Sequence, residues 1–386
     1  MPGRNANNAG SIRKRKDGTW EGRYSAGRNP VTGAYIRRSV YGNTQAEVRK
    51  KLTMLTNDLD KGTYTAPSRM TFGAWCKVWL EEYCVGVKPS TLSAYESKCR
   101  LYFIPALGNV HLQEVTAPMV QALYNSMQEK GLSSKTLSLM HGVLHECFST
   151  ALQVGYIALN PCERVKVPRA KKKEIHPFER SQIAPFLSAA KDDTYYNVFR
   201  IALFTGCRQA ELLGLTWDCI DWKNKKMTVK GQLQHSYEKG KYAEVSLQPT
   251  KTDKWRTFAV ADEVMTILQA IRKQQAADRL RMGNLYSNPM NLVFCDAFGK
   301  HISSRTLYKH FKKIAASIDC PDMRFHDLRH TYATLRLENG DNIKQVSAAL
   351  GHATTAFTMD VYSHVTATME QESMDKMQTF INSISG

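Results

Sequence analysis

The sequence predicts a multidomain protein, mainly α with small β-sheets. Three observations lead there. The chain has 386 residues, and at about 150 residues per domain that makes two or three domains. Near the N-terminus, short basic and aromatic runs alternate with turn signals, the pattern of a small antiparallel sheet. Beyond that, apolar residues recur at helical spacing between Ser or Thr starts and Gly stops.

The first region spans 1–66. In SIRKRKDGTWEGRYSAGRNPVTGAYIRRSVYG the breaks KDG and RNPVTG divide the stretch into a three-stranded meander. A helix follows in NTQAEVRKKLTMLTNDLDKG. Asn43 or Thr44 is its cap, Glu47 stands at capping-box distance from Thr44, and Gly62 is its stop. Val48, Leu52, Leu55 and Leu59 share one face of this helix and would cover the sheet. The other side of the sheet suits a DNA major groove, with arginines reaching bases and phosphates. Arg13, Arg15, Arg23, Arg37 and Arg38 are the candidates for that contact.

The second region, 67–165, reads as a helical bundle. TFGAWCKVWLEEYC, STLSAYESKCRLYFIPALG, TAPMVQALYNSMQEKG and SSKTLSLMHGVLHECFSTALQVG are each amphipathic. His141 and His145 lie one turn apart, but no glutamate stands between them and no third ligand is evident, so they read as ordinary core or surface histidines. Residues 166–177 are a linker whose prolines interrupt any periodicity. Its Lys171, Lys172 and Lys173 are placed to track a phosphate backbone. The third region, 178–386, is mixed α/β: mostly helical, with a short sheet from KKMTVKG, AEVSLQ and WRTFAV.

Composition narrows the partners. The net charge is +18 and the pI about 9.4, which points to a polyanion, and nucleic acid is the default. No basic stretch alternates with an exposed apolar face, no run nears a membrane span, and the N-terminus has no apolar signal core, so the expectation is a cytoplasmic protein without membrane contact. The nine cysteines are odd in number, widely spaced and without a C-x-x-C pair. They read as buried free thiols rather than a disulfide framework or zinc ribbon.

Short motifs in the third region carry the chemistry. TGCRQAELLGLTW sets Arg208 at a helix start, where it pairs with Glu211 or binds an anion. QPTKTDKWRTFAV sets Lys251 in a turn before a strand, with Lys254 close by. HDLRHTYATLRLENG puts His326, Arg329 and His330 on one stretch of helix. With Asp327 in place of glutamate it is also near the H-E-x-x-H pattern, which leaves a zinc site on His326 and His330 open, although Arg329 would crowd the cation. LGHATTAFTMDVYSH adds His352, Tyr362 and His364. No acidic cluster suggests a magnesium site.

Together these residues suit transfer of a phosphodiester. Two arginines clamp the nonbridging oxygens as charge develops. A lysine protonates the leaving 5′-oxygen. Histidines hold the phosphate or relay a proton. A tyrosine phenol, with an ordinary pKa of about 10 that nearby positive charge would lower, is the nucleophile. A covalent phosphotyrosine conserves the bond energy, so rejoining needs neither ATP nor metal, and no cofactor is expected.

The order Arg, Lys, His-x-x-Arg, His, Tyr resembles the tyrosine recombinases, the phage-integrase type of site-specific recombinase. TGCRQAELLGLTW, HDLRHTYAT, LGHA and DVYSHV are similar to its signature boxes. The N-terminal meander plus helix resembles the arm-binding domain of the integrases of conjugative transposons. The resemblance implies an arm-binding domain, a helical core-binding domain and a recombinase catalytic domain. It implies Arg208 and Arg329 as phosphate clamp, Lys251 as general acid, His326 and His352 as assisting pair, and Tyr362 as nucleophile. It further implies double-stranded DNA at core and arm sites, a homotetramer working through a Holliday junction, and an excisionase and a host DNA-bending protein as accessory partners. In the tail, Met374, Met377, Ile381 and Ile384 fall at helical spacing, and that helix would dock on its own domain or on a neighbouring subunit.

Overall fold

The computed structural model describes residues 10–28, 34–60, 68–169, 177–238, 241–249, 255–352 and 354–362, with 374, 377–378 and 381–383 in the tail. The chain divides into two compact units, Met1–Lys172 and Lys173–Gly386.

The first unit opens with strands β1 (Ser11–Lys14), β2 (Trp20–Arg28) and β3 (Tyr35–Gly42), antiparallel in the order β1-β2-β3. Helix α1 (Gln45–Asp60) covers one face. The Thr44 cap forms as the sequence predicts, while the return bond from Glu47 reaches one residue further back, to Asn43. The Thr44 hydroxyl accepts from the Glu47 amide at 3.2 Å, and the Glu47 carboxylate accepts from the Asn43 amide at 3.0 Å. Val48 and Leu52 bury against Tyr24, with Ile12, Trp20, Val40 and Leu55 around them. Alternation along the strands then fixes which residues lie on the open face.

The bundle holds α2 (Phe72–Val78), α3 (Pro89–Lys98), α4 (Ile104–Leu107), α5 (Ala117–Glu129) and α6 (Ser134–Gln153). Its core is aromatic: Phe72, Trp75, Trp79, Phe103, Tyr124 and Phe148 are fully buried. The indole nitrogens of Trp75 and Trp79 donate to the Cys147 carbonyl and the Thr150 hydroxyl of α6, so these large side chains bury no orphaned polar atom. His141 shares a hydrogen bond with the Tyr124 hydroxyl and His145 with the Ser149 hydroxyl, which makes them parts of the packing.

The second unit begins with α7 (Arg180–Ala190), α8 (Tyr196–Thr205) and α9 (Gln209–Leu213). Strands β4 (Ile220–Asp221), β5 (Lys226–Val229), β6 (Gly231–Glu238), β7 (Lys241–Pro249) and β8 (Arg256–Ala259) follow. The strand residues sort differently from the single short sheet expected. KKMTVKG and WRTFAV pair in a β4-β5-β8 sheet, whereas AEVSLQ lies in β7 and pairs with β6 in a separate hairpin. Then come α10 (Asp262–Met282), α11 (Ser304–Ser317), α12 (Asp327–Glu338), α13 (Ile343–Leu350) and α14 (Thr355–Val361). Phe186, Phe199, Phe311 and Phe325 meet edge-on or tilted at the centre of the core.

Two glycines end helices beside the future site. Gly206 after α8 and Gly351 after α13 have φ of +63° and +67°, the left-handed conformation that glycine adopts without penalty. Both turn their last carbonyls inward. Among the described residues no helix is long and apolar enough to cross a membrane. All nine cysteines are free and seven are buried.

Candidate active site

The site is built where α9, β8, α12, α13 and α14 converge. Arg208 stands at the N-terminal cap of α9. Its backbone N–H and its Nη1 both donate to the Glu211 carboxylate, at 2.8 and 2.7 Å. Glu211 is buried and has a second cation that the motif reading did not identify. Arg256, the first residue of β8, donates to both carboxylate oxygens at 2.9 and 2.6 Å. It also gives its Nε to the Ala349 carbonyl at 2.8 Å. Burial alone would raise the Glu211 pKa, but Arg256 and then Arg208 outweigh it and hold the carboxyl at about 2.

Arg329 is 2% exposed. Its Nη1 donates to the Gly206 carbonyl at 2.8 Å and its Nη2 to the Leu350 carbonyl at 2.6 Å. Burial, then the Arg208 charge, lowers its pKa to about 10. A guanidinium has five N–H donors; two carbonyls occupy part of the fork and leave the rest for an anion. Arg208, whose side chain is 39% exposed, gives its Nη2 to the Gly351 carbonyl at 3.4 Å. Both guanidinium groups therefore donate to carbonyls at the end of α13.

His326 and His330 bracket the first turn of α12, with ring centroids 5.0 Å apart and edge to face. Asp327 between them is buried and spent on structure. Its carboxylate accepts from the Arg324 backbone N–H at 2.7 Å and from Arg324 Nη2 at 2.6 Å, closing the helix start. His330 Nδ1 lies 2.8 Å from the Tyr362 hydroxyl. Among the described residues, no group of three or more His, Cys, Asp or Glu is placed to hold a metal ion. The near match to H-E-x-x-H thus has its acid and its second histidine engaged elsewhere. His352 follows the left-handed Gly351 and shares a hydrogen bond with the Thr358 hydroxyl at 2.7 Å.

Tyr362 closes the last turn of α14, its N–H bonded to the Thr358 carbonyl. It is 1% exposed, and its ring packs with Ala333, Leu337, Val346 and Leu350. The side chain is thus both a packing residue and a polar group aimed at the site. Here the structure corrects the sequence expectation. Burial pushes the phenol pKa up, and the nearby Arg329 offsets only part of that rise. The histidines shift the opposite way for the same reason. Burial and then neighbouring cations or rings hold His326 and His330 at about 4 and His352 at about 3. In the free protein burial thus favours the uncharged forms of the tyrosine and the histidines.

Arg208, His326, Arg329, His352 and Tyr362 are thus brought together. Lys251 and its neighbour Lys254 lie outside the described residues, between β7 and β8, as do Lys171, Lys172, Lys173 and His364. Tyr332 is tied down: its hydroxyl accepts from Arg336 and its ring lies against Gly206. On the N-terminal sheet, Arg13 and Arg23 lie on the open face and each donates Nε to Glu21, at 2.6 and 3.1 Å. Arg37 shares that face by alternation, and Arg15 lies over the Tyr41 ring at 5.3 Å. Arg38, grouped with them in the sequence reading, pairs across from Tyr24 on the face that α1 covers. In the tail, Met374, Met377 and Ile381 are exposed, whereas Ile384 lies outside the described residues.

The phage integrase family model matches residues 174–369, and the model of the phage integrase N-terminal SAM-like domain matches residues 71–128. This chain belongs to the phage integrase family. It is a tyrosine recombinase, an enzyme of site-specific recombination that cleaves and rejoins DNA. A tyrosine recombinase XerC-like protein of Caldanaerobacter subterraneus subsp. tengcongensis is 32% identical over 348 residues, covering 86% of this recombinase and 89% of the relative. Among solved structures, the Tn1549 transposon integrase in complex with transposon right end DNA superposes with a TM-score of 0.67 at 23% identity, over 80% of this chain and 100% of that one. A lambda integrase tetramer bound to a Holliday junction gives 0.57 at 17%, over 89% and 96%. These two likenesses are of fold.

Proposed function

We propose that this recombinase excises and integrates a mobile element through a 3′-phosphotyrosine and a Holliday junction. Tyr362 attacks the scissile phosphate, Arg208 and Arg329 clamp its nonbridging oxygens, and His326 and His352 assist. Lys251 protonates the leaving 5′-oxygen. The observation that carries this reading is the convergence of Arg208, His326, His352 and Tyr362 around the charge of Arg329, from segments up to 154 residues apart (362 − 208). Each step conserves a phosphodiester-level bond, so the cycle needs neither ATP nor metal.

In this reading residues 1–66 bind arm sites, 67–165 bind the core site, 166–177 link them with Lys171, Lys172 and Lys173 along the backbone, and 178–386 cut. Arg13, Arg15, Arg23 and Arg37 meet the arm site from the open face of the sheet. Four copies hold two duplexes, with an excisionase and a host DNA-bending protein setting direction; the likeness to a lambda integrase tetramer bound to a Holliday junction supports the fourfold assembly. The protein works on the bacterial chromosome in the cytoplasm.

Covalent trapping tests this. The protein is mixed with a nicked suicide duplex carrying the element's end, without metal or ATP, and run on a denaturing gel. An adduct in wild type that is absent in Tyr362→Phe, with DNA binding kept, is expected. An adduct in both moves the nucleophile elsewhere. Arg208→Ala should lose about 10²–10³-fold in cleavage, as for other lost charge-stabilising donors.

A further inference from the structure

The roles above leave the proton of Tyr362 without a named destination, and one buried side chain without a role. That side chain is His330. Its Nδ1 lies 2.8 Å from the Tyr362 hydroxyl, within direct transfer distance. The two rings are 5.9 Å apart and tilted, and both lie in the interior. His352, the other imidazole from the α13–α14 corner, has its Nδ1 engaged by Thr358. The helix register explains the division of labour along HDLRH. Arg329 turns toward the carbonyls of Gly206 and Leu350, while His330, one residue on, turns toward α14.

We propose that His330 is the general base of the cleavage step. In the tautomer that carries its proton on Nε2, Nδ1 accepts the Tyr362 hydrogen bond and orients the phenolic oxygen. As that oxygen bonds to phosphorus, the O–H bond breaks and the proton passes to Nδ1. The bond from phosphorus to the 5′-oxygen breaks, and its electron pair leaves on that oxygen, which takes a proton from the general acid. In rejoining, the 5′-hydroxyl attacks the phosphotyrosine and gives its proton to the conjugate base of the general acid, while the bond from phosphorus to the phenolic oxygen breaks and the imidazolium returns its proton to the departing phenolate. Burial and the neighbouring charges disfavour an imidazolium in the free protein. The phosphate anion supplies the missing counter-charge, so the base becomes competent when DNA occupies the site.

The inference rests on Tyr362 being the nucleophile, and the test separates the two claims. The full-length chain is assayed for single-turnover covalent cleavage on an ordinary suicide duplex and on one with a 5′-bridging phosphorothiolate, whose sulfur leaves without a proton. His330→Asn places an amide oxygen near the position of Nδ1, so it keeps an acceptor but takes no proton. It should bind the core site normally and lose about 10²–10⁴-fold in cleavage on both duplexes. Lys251→Ala should be rescued by sulfur. Cleavage by His330→Asn within about threefold of wild type, or its rescue by sulfur, overturns the assignment. If the asparagine variant melts early, His330→Gln is read by the same criteria. An adduct that survives Tyr362→Phe defeats the nucleophile reading itself. Loss in Tyr362→Phe with normal cleavage in His330→Asn defeats only the base.

Discussion

Arg256 grips Glu211 with both terminal nitrogens, and the same carboxylate seats Arg208. One buried anion therefore positions two cations. Glu211→Gln keeps the shape and removes the charge. It leaves Arg256, 12% exposed at the side chain, without its counter-ion. Breaking a buried pair from one side costs about 3–5 kcal/mol, which urea unfolding of the two proteins would register. Cleavage should fall with it, because Arg208 loses its seat. An unchanged midpoint would mean that the carboxylate is not the anchor.

Gly206 is required for two reasons that a pair of substitutions separates. At φ +63° a Cβ is strained, and it would also stand 2.4 Å from Tyr332 Cδ1 and 2.8 Å from Leu350 Cδ2. Gly340 has φ +85° and nothing within 4 Å of the same added atom. Gly340→Ala should cost about 1–2 kcal/mol from the backbone alone. Gly206→Ala should cost clearly more and impair cleavage. Equal losses in thermal unfolding would show that Tyr332 gives way freely.

Thr334 on α12 offers a change in the other direction. Its hydroxyl is buried and has no hydrogen-bond partner among the described residues. Thr334→Val replaces that hydroxyl with a methyl of similar size and should stabilise the protein by about 1 kcal/mol. A drop in the urea midpoint would reveal a water bound there.

Glu21 should give the N-terminal sheet an acid limit. The hydrogen bond from Arg13, and then Arg23 and Ser39, hold its carboxyl at about 2 despite burial, against an ordinary 4.5. A depressed folded pKa stabilises above the unfolded value and loses that contribution as pH falls. Amide protection across β1–β3 in the full chain, taken relative to the intrinsic exchange rate at each pH, should therefore fall as pH drops from about 4.5 toward 2. Glu21→Gln should flatten that dependence; an identical profile would place the acid sensitivity elsewhere.

What was legible in the sequence had a local cause. The α1 cap was readable because Thr44 and Glu47 lie within one turn and meet each other. Arg208 and Glu211 were readable as a pair for the same reason. Arg256 was not, because its partner is 45 residues away and reaches it only once β8 lies beside α13. His330 was visible as a histidine on the right helix, yet its partner Tyr362 is 32 residues on. The face of Arg38 was within reach, since neighbours in a strand point oppositely and Arg37 and Arg38 cannot share a groove. The phenol shift is not legible, because nearby charge shows in a sequence and burial does not.

The grip of Arg329 on the Gly206 and Leu350 carbonyls has a practical side. That arginine works as a tie-rod between the ends of α8 and α13, and chain geometry as much as side-chain chemistry sets where it points. Anyone retargeting this enzyme by directed evolution faces an unequal landscape. Libraries that randomise the base-reading surfaces and leave 205–208, 326–330 and 349–352 alone would keep most clones active. Libraries that scatter changes evenly would cut the rod in many members, and a screen would mistake broken catalysts for failed recognition.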